Sequence, residues 1–189
     1  MTDPSFLPNV IKQFQYYKVL GERTFDQLND EALFWQYNDQ SNSVAIIAKH
    51  MAGNMLSRWT DFLKSDGEKD WRNRELEFIN NFETRADLYA YWEKGWNCLF
   101  DALTPLSIED LDRVVYIRNM GHTVAEAINR QLAHYAYHVG QIVYIGKMCK
   151  DQDWRSLSIP KGSSAEYNSG KFAQGKERIH FSDEFLKDK

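Results

Sequence analysis

Arg130-Gln131-Leu132-Ala133-His134-Tyr135-Ala136-Tyr137-His138-Val139-Gly140-Gln141 lies inside a helical pattern that runs from about Thr123 to Met148. Ile128, Leu132, Tyr135, Val139, Ile142, Gly146 and Cys149 recur at alternating spacings of four and three, the seam of an antiparallel bundle. A second row, Gln131, His134, His138, Gln141 and Ile145, runs beside it, so the helix should bury a wide face. Positions four apart lie on one face, one turn apart, which makes Arg130, His134 and His138 successive neighbours. Two imidazoles at this spacing lean the same way along the helix and can hold one metal ion between them. The plainer alternative is two partly buried histidines bonded to backbone or tyrosine groups.

Working outward, Thr123 with Glu126 three residues on forms a capping-box start for this helix. Residues 5–28 read as a first helix, with Leu7, Val10, Ile11, Phe14, Tyr17, Gly21, Phe25 and Leu28 at three-four spacing. Pro4 and Pro8 fall in or before its opening turn, where a missing N–H is tolerated. Asn29-Asp30-Glu31 should close it, and residues 32–42 read as a connector. Ser43 is a candidate N-cap for a second helix from Val44 to about Leu63. His50 flanks the apolar stripe of that helix among small and apolar residues, and Asn54 lies one turn beyond it.

Thr84 and Asp87 start a third helix that Thr104-Pro105 ends. Ser107 to Asp112 reads as a turn or short helical piece, and Val114 to Arg118 as an extended connector with no obvious partner. Residues 65–83 are charged and broken by Gly67, with Trp71 and Phe78 as apolar anchors. So long a connection is uncommon in a compact domain unless it has a use. It could line a site mouth, cover the bundle or make a subunit contact, and Arg72 and Arg74 could meet an anionic substrate. From Lys150 the periodicity fades. The expected organisation is therefore all-α: an antiparallel four-helix bundle over 1–150 and an irregular tail over 151–189. Trp154, Ile159, Tyr167, Phe172, Phe181 and Phe185 should pack that tail on the bundle.

The 189 residues suit one domain with a sizeable core. A hydrophobic content of 43% argues against disorder, and a formal net charge of -4 argues against nucleic-acid or anionic-membrane partners. No apolar run is long enough to span a bilayer. Met1-Thr2-Asp3-Pro4 lacks the basic and apolar regions of a signal peptide. Cys98 and Cys149 form no Cys-x-x-Cys pair and are expected as buried free thiols in a reducing cytoplasm.

His50 on one helix and the His134–His138 pair on another suffice for a tri-histidine site, whose all-nitrogen ligation of a divalent ion suits zinc or nickel. Tyr-Ala-Tyr separates the pair, so the metalloprotease pattern His-Glu-x-x-His is absent. Gln141 could bond a water on the metal, and Tyr137 is a second catalytic candidate. Arg130 is the candidate anion contact. Asn54 is either a helix–helix hydrogen bond or a substrate contact. His122 lies about 18 Å from His134 along the helix axis and cannot join the site. His180 is assigned no role.

A histidine following a Ser-Val-Ala-Ile entry, then His-x-x-x-His leading into Gly-Gln-Ile, resembles the DinB/YfiT-like superfamily over roughly residues 5–149. Residues 134–142 are the most specific part. Asp66 to Arg74 and Ile159 to Ser164 resemble an uncharacterised branch of it. The resemblance implies a four-helix bundle of that type with His50, His134 and His138 as metal ligands. It also implies a homodimer, and a small-molecule substrate. Some members transfer groups onto low-molecular-weight thiols such as bacillithiol, which gives the expected function: a metal-dependent thiol S-transferase or a hydrolase. The alternative is a non-catalytic binding or stress-response module whose metal site is structural or vestigial.

Overall fold

The computed structural model describes residues 5–186. Pro4 falls outside the described residues. The chain is mostly helical. Its four long helices are α1 (Phe6–Gln27), α3 (Val44–Trp59), α4 (Arg85–Leu103) and α5 (Val124–Lys150). The second helical stretch thus ends at Trp59, a turn earlier than its apolar pattern predicts. A short α2 (Asp30–Phe34) falls where a connector was expected. Asn29 does not close α1. It caps α2, its side chain accepting from the Ala32 N–H at 2.9 Å.

The predicted helix starts are present. Ser43 accepts from Ile46 N–H, and Thr84–Asp87 and Thr123–Glu126 are reciprocal capping boxes. α3 packs on α4 and α5, while α1 packs on α5 and α4. Every residue of α3 except Leu56 is buried, so this helix is enclosed by its neighbours. α4 can approach it closely because Gly95 faces Ala52: a Cβ on Gly95 would stand 2.6 Å from the Ala52 Cα. Between α1, α4 and α5 lies an aromatic core. Trp96 is 6.4 Å from Phe14, 5.4 Å from Trp92 and 5.9 Å from Tyr135, ring centre to ring centre, and all four rings are fully buried. Tilted and edge-on pairs of this kind add about 0.5–1.5 kcal/mol each to their area burial.

The Val114–Arg118 connector is in fact half of a hairpin. β1 (Val114–Ile117) pairs antiparallel with β2 (Met120–Thr123), with Val114 opposite Thr123 and Ile117 opposite Met120. Arg118 and Asn119 both take positive φ, 55° and 58°, as a two-residue hairpin turn of the primed kind demands. β2 escaped notice because Met-Gly-His-Thr has neither β-branched enrichment nor alternation.

The tail is less irregular than its composition implies. It contains α6 (Ser164–Phe172) and α7 (Asp183–Leu186). It packs on α1: Gln27 bonds both backbone groups of Arg155, Lys12 pairs with Asp183 at 2.7 Å, and Tyr16 contacts Phe181 and Phe185. Phe172, expected as an anchor, is 84% exposed because α6 turns that face outward. Among the described residues no helix is long and apolar enough to cross a membrane.

Candidate metal centre

Because α3 is enclosed, His50 is 5% exposed, and it faces α5 where His134 and His138 present half-buried rings one turn apart. Ring centres lie 4.9 Å (His50–His138), 5.5 Å (His50–His134) and 4.6 Å (His134–His138) apart. One nitrogen from each ring lies within 4.8 Å of the other two, a group that could hold a metal ion. Nitrogens bound at 2.0–2.1 Å in a tetrahedron stand about 3.3 Å apart. The Nε2 atoms of His134 and His138 already sit at 3.0 Å. A change of side-chain rotation at His50 would complete the set.

The other ring nitrogens are engaged in ways that favour this use. His138 Nδ1 lies 2.8 Å from Gln141 Oε1, and His50 Nδ1 lies 2.9 Å from Glu77 Oε2. With Nδ1–H donating to an oxygen, each ring is left with its Nε2 lone pair for a metal. Burial, then the charges of His138, His50, Arg58 and Arg72, lower the His134 pKa to about 3. Burial also lowers that of His138, against the opposing bond to Gln141. Both rings are therefore neutral at pH 7, the form that ligates. Burial pushes the Glu77 carboxyl up, but the bonds from His50 and Arg72 and the Arg72 charge outweigh it and hold the group below its usual range.

Asn54 is 4% exposed and accepts the Tyr135 O–H at 3.0 Å, while Trp59 Nε1–H donates to the same hydroxyl at 3.2 Å. Of its two sequence readings, the helix–helix bond is the one the geometry supplies. Gln141 touches His138 itself. Tyr137 is 63% exposed, its ring 5.0 Å from that of His138. Arg130 is exposed and its guanidinium bonds His122 Nε2 at 3.0 Å, which turns it toward the hairpin. His180 bonds Ser182 in the tail. Cys98 and Cys149 are both free and half-buried.

Residues 65–83 differ most from expectation. Trp71, expected as an anchor, is 62% exposed. Arg72, expected to await a substrate, has a side chain only 3% exposed and is committed to Glu77 and Glu68. Arg74 stays partly exposed, its guanidinium 4.9 Å from the Phe78 ring, which in turn stacks on His50 at 4.8 Å. Glu77 was not found from sequence. A glutamate in a charged loop carries no periodicity, and the unusual length of the connection was the only signal.

No curated protein and no solved structure matches the chain. Residues 2–163 match the family described as "Protein of unknown function (DUF1572)", and the chain belongs to that family.

Proposed function

We propose that this protein is a metal-dependent enzyme built on an antiparallel four-helix bundle of the DinB/YfiT-like type. The bundle takes in residues 1–150, with 151–189 packed on it. His50, His134 and His138 hold one divalent ion, zinc or nickel by ligand type. The observation that supports this best is the convergence of three imidazole rings, two of them with Nδ1 engaged by Glu77 and Gln141. A closed structural site takes four protein ligands, whereas three leave room for a substrate. His134 and His138 are only partly buried, and that side is where such a substrate would enter.

When bound, such an ion supplies a Lewis acid able to lower the pKa of a coordinated thiol or water. The chain's own residues supply the rest. His50 and His138 are oriented by their oxygen partners. Gln141 fixes the His138 tautomer. Tyr137, exposed beside His138, is the second candidate for a catalytic role. The resemblance to thiol transferases makes a low-molecular-weight thiol such as bacillithiol the proposed substrate, with hydrolysis as the second chemistry. We place the enzyme in the cytoplasm as a homodimer. Its contact would be the cleft of about 470 Å³ lined by Trp35, Tyr37, Met148 and Cys149, whose aromatic rings are exposed.

The test is thiol consumption by zinc- or nickel-loaded protein with electrophilic acceptors. Turnover lost in His134→Ala supports the enzyme reading. A loaded protein that binds thiols but turns none over across a broad panel leaves the binding-module reading in its place. Sedimentation at micromolar concentration should show twice 22.2 kDa, and a monomer would remove the dimer from the proposal.

A further inference from the structure

We propose that Glu77 is the positioning residue of the metal centre, held by Arg72 and admitted by Gly53. On this inference the 65–83 connection, and not the helices alone, sets how tightly the histidines hold a metal. The inference rests on the metal reading above and deepens it.

The first observation is the contact itself: a carboxylate with a 6% exposed side chain, bonded to Nδ1 of a 6% exposed imidazole. A carboxylate on the far nitrogen orients a ligating ring and raises its basicity. The second is how that carboxylate is held. Arg72 meets it with two parallel bonds, Nε to Oε1 at 2.7 Å and Nη2 to Oε2 at 2.9 Å, the fork geometry that fixes a carboxylate plane. Glu68 holds Arg72 from the other side and also bonds Arg58 and Arg118. Both charges are thus paired in a place where an unpaired one would be costly.

The third observation is that α3 is cut to receive the group. A Cβ on Gly53 would stand 2.6 Å from Glu77 Oε1 and 2.9 Å from its carboxyl carbon. Gly53 lies three residues after His50 on the same helix, so the missing side chain is the space the carboxylate occupies.

The connection is fastened at both ends. At the start, Asp66 accepts the Arg118 and Asn119 N–H groups of the hairpin turn, each at 2.8 Å, and Gly67 N–H bonds Tyr116 O at 2.7 Å. At the end, Lys49 Nζ donates to Ile79 O at 2.8 Å, to Asn81 Oδ1 at 2.6 Å and to Leu76 O. Lys49 is the residue before His50, so the ligand's own helix clamps the short 3-10 turn (Glu75–Phe78) that carries Glu77.

Cobalt(II) titration of the full-length protein, with chelator competition and the visible d–d spectrum recorded, tests this. Glu77→Ala should weaken cobalt binding about 10- to 100-fold and alter the d–d bands. Glu77→Gln, which keeps an acceptor without the charge, should fall in between. Gly53→Ala should reproduce the loss with the carboxylate intact but displaced. Glu68→Gln, which loosens Arg72 while leaving the Arg72–Glu77 fork and the Glu77–His50 bond in place, should weaken cobalt binding by clearly less than Glu77→Ala. Tight binding by the parent with Glu77→Gln and Gly53→Ala both unchanged overturns the inference alone. So does a Glu68→Gln loss as large as that of Glu77→Ala, which would mark general loosening. A parent protein that takes up no cobalt, zinc or nickel overturns the metal reading and the inference with it.

Discussion

Helix α3 carries His50 and the 65–83 connection touches it, yet the two are built by opposite means. α3 is positioned by apolar burial: Val44, Ala48, Met51, Ala52 and Met55 are 0–1% exposed, and the helix is enclosed on nearly every side. The connection has few buried side chains and is held by carboxylates, guanidinium groups and backbone carbonyls at named distances. Burial places a helix to within a packing arrangement, whereas directional bonds fix one ring nitrogen. The comparison teaches that the helices bring the three histidines to one place, while the connection, through Glu77, engages His50 Nδ1 there.

If that division holds, the two regions respond differently to substitution. Trp96→Ala strikes the apolar side and should cost about 3–5 kcal/mol, read as a fall in the urea midpoint, because the indole is fully buried among Phe14, Trp92 and Tyr135. Tyr135→Phe keeps the ring but strips the hydroxyl that joins Trp59 to Asn54. It should cost roughly 1–3 kcal/mol for the buried partners left unsatisfied. Asp66→Ala, on the polar side, should lower global stability by only about 1 kcal/mol. It should nevertheless speed amide exchange at Arg118 and Asn119, whose N–H groups it releases. An Asp66→Ala loss as large as that of Trp96→Ala would break the comparison.

The smallest effect at neutral pH involves the histidines themselves. His134 has a folded-state pKa of about 3 against an ordinary value of 6.5, so below pH 6.5 the unfolded metal-free chain binds more protons than the folded one. Stability should therefore decline as pH falls from about 6.5 toward 3, and the effect should vanish above that window. Metal-free His134→Gln should show a shallower slope between pH 6.5 and 5.5. Equal slopes would mean that the ring is already solvated in the folded protein.

How much of this was legible in the sequence follows the same division. The seam Ile128, Tyr135, Val139, Ile142 and the starts at Ser43, Thr84 and Thr123 were readable because helical periodicity and caps are local patterns. His134 and His138 were readable because they share a face at four-residue spacing, and His50, which flanks the stripe of another helix, was joined to them with the help of the resemblance to the DinB/YfiT-like pattern. The hairpin was not, since Met120-Gly121-His122-Thr123 finds its strand conformation only by pairing with β1. Nor were the Glu77–His50 bond and its Arg72 clasp, which join residues 27 apart across a loop with no repeat. The tail's helices were missed for a similar reason. Phe181 and Phe185 were expected anchors and do meet Tyr16 on α1, but Gln27, which holds Arg155, lies outside the tail.

The central claim is that His50, His134 and His138 bind one divalent ion together, and equilibrium dialysis against zinc, with metal counted per chain, tests it most directly. Protein purified without a chelating column should hold one zinc per chain. His134→Ala should hold none while keeping the parent's helical circular dichroism spectrum, because the fold rests on the apolar seam. Zinc uptake that is absent in the parent, or unchanged in His134→Ala, would contradict the claim.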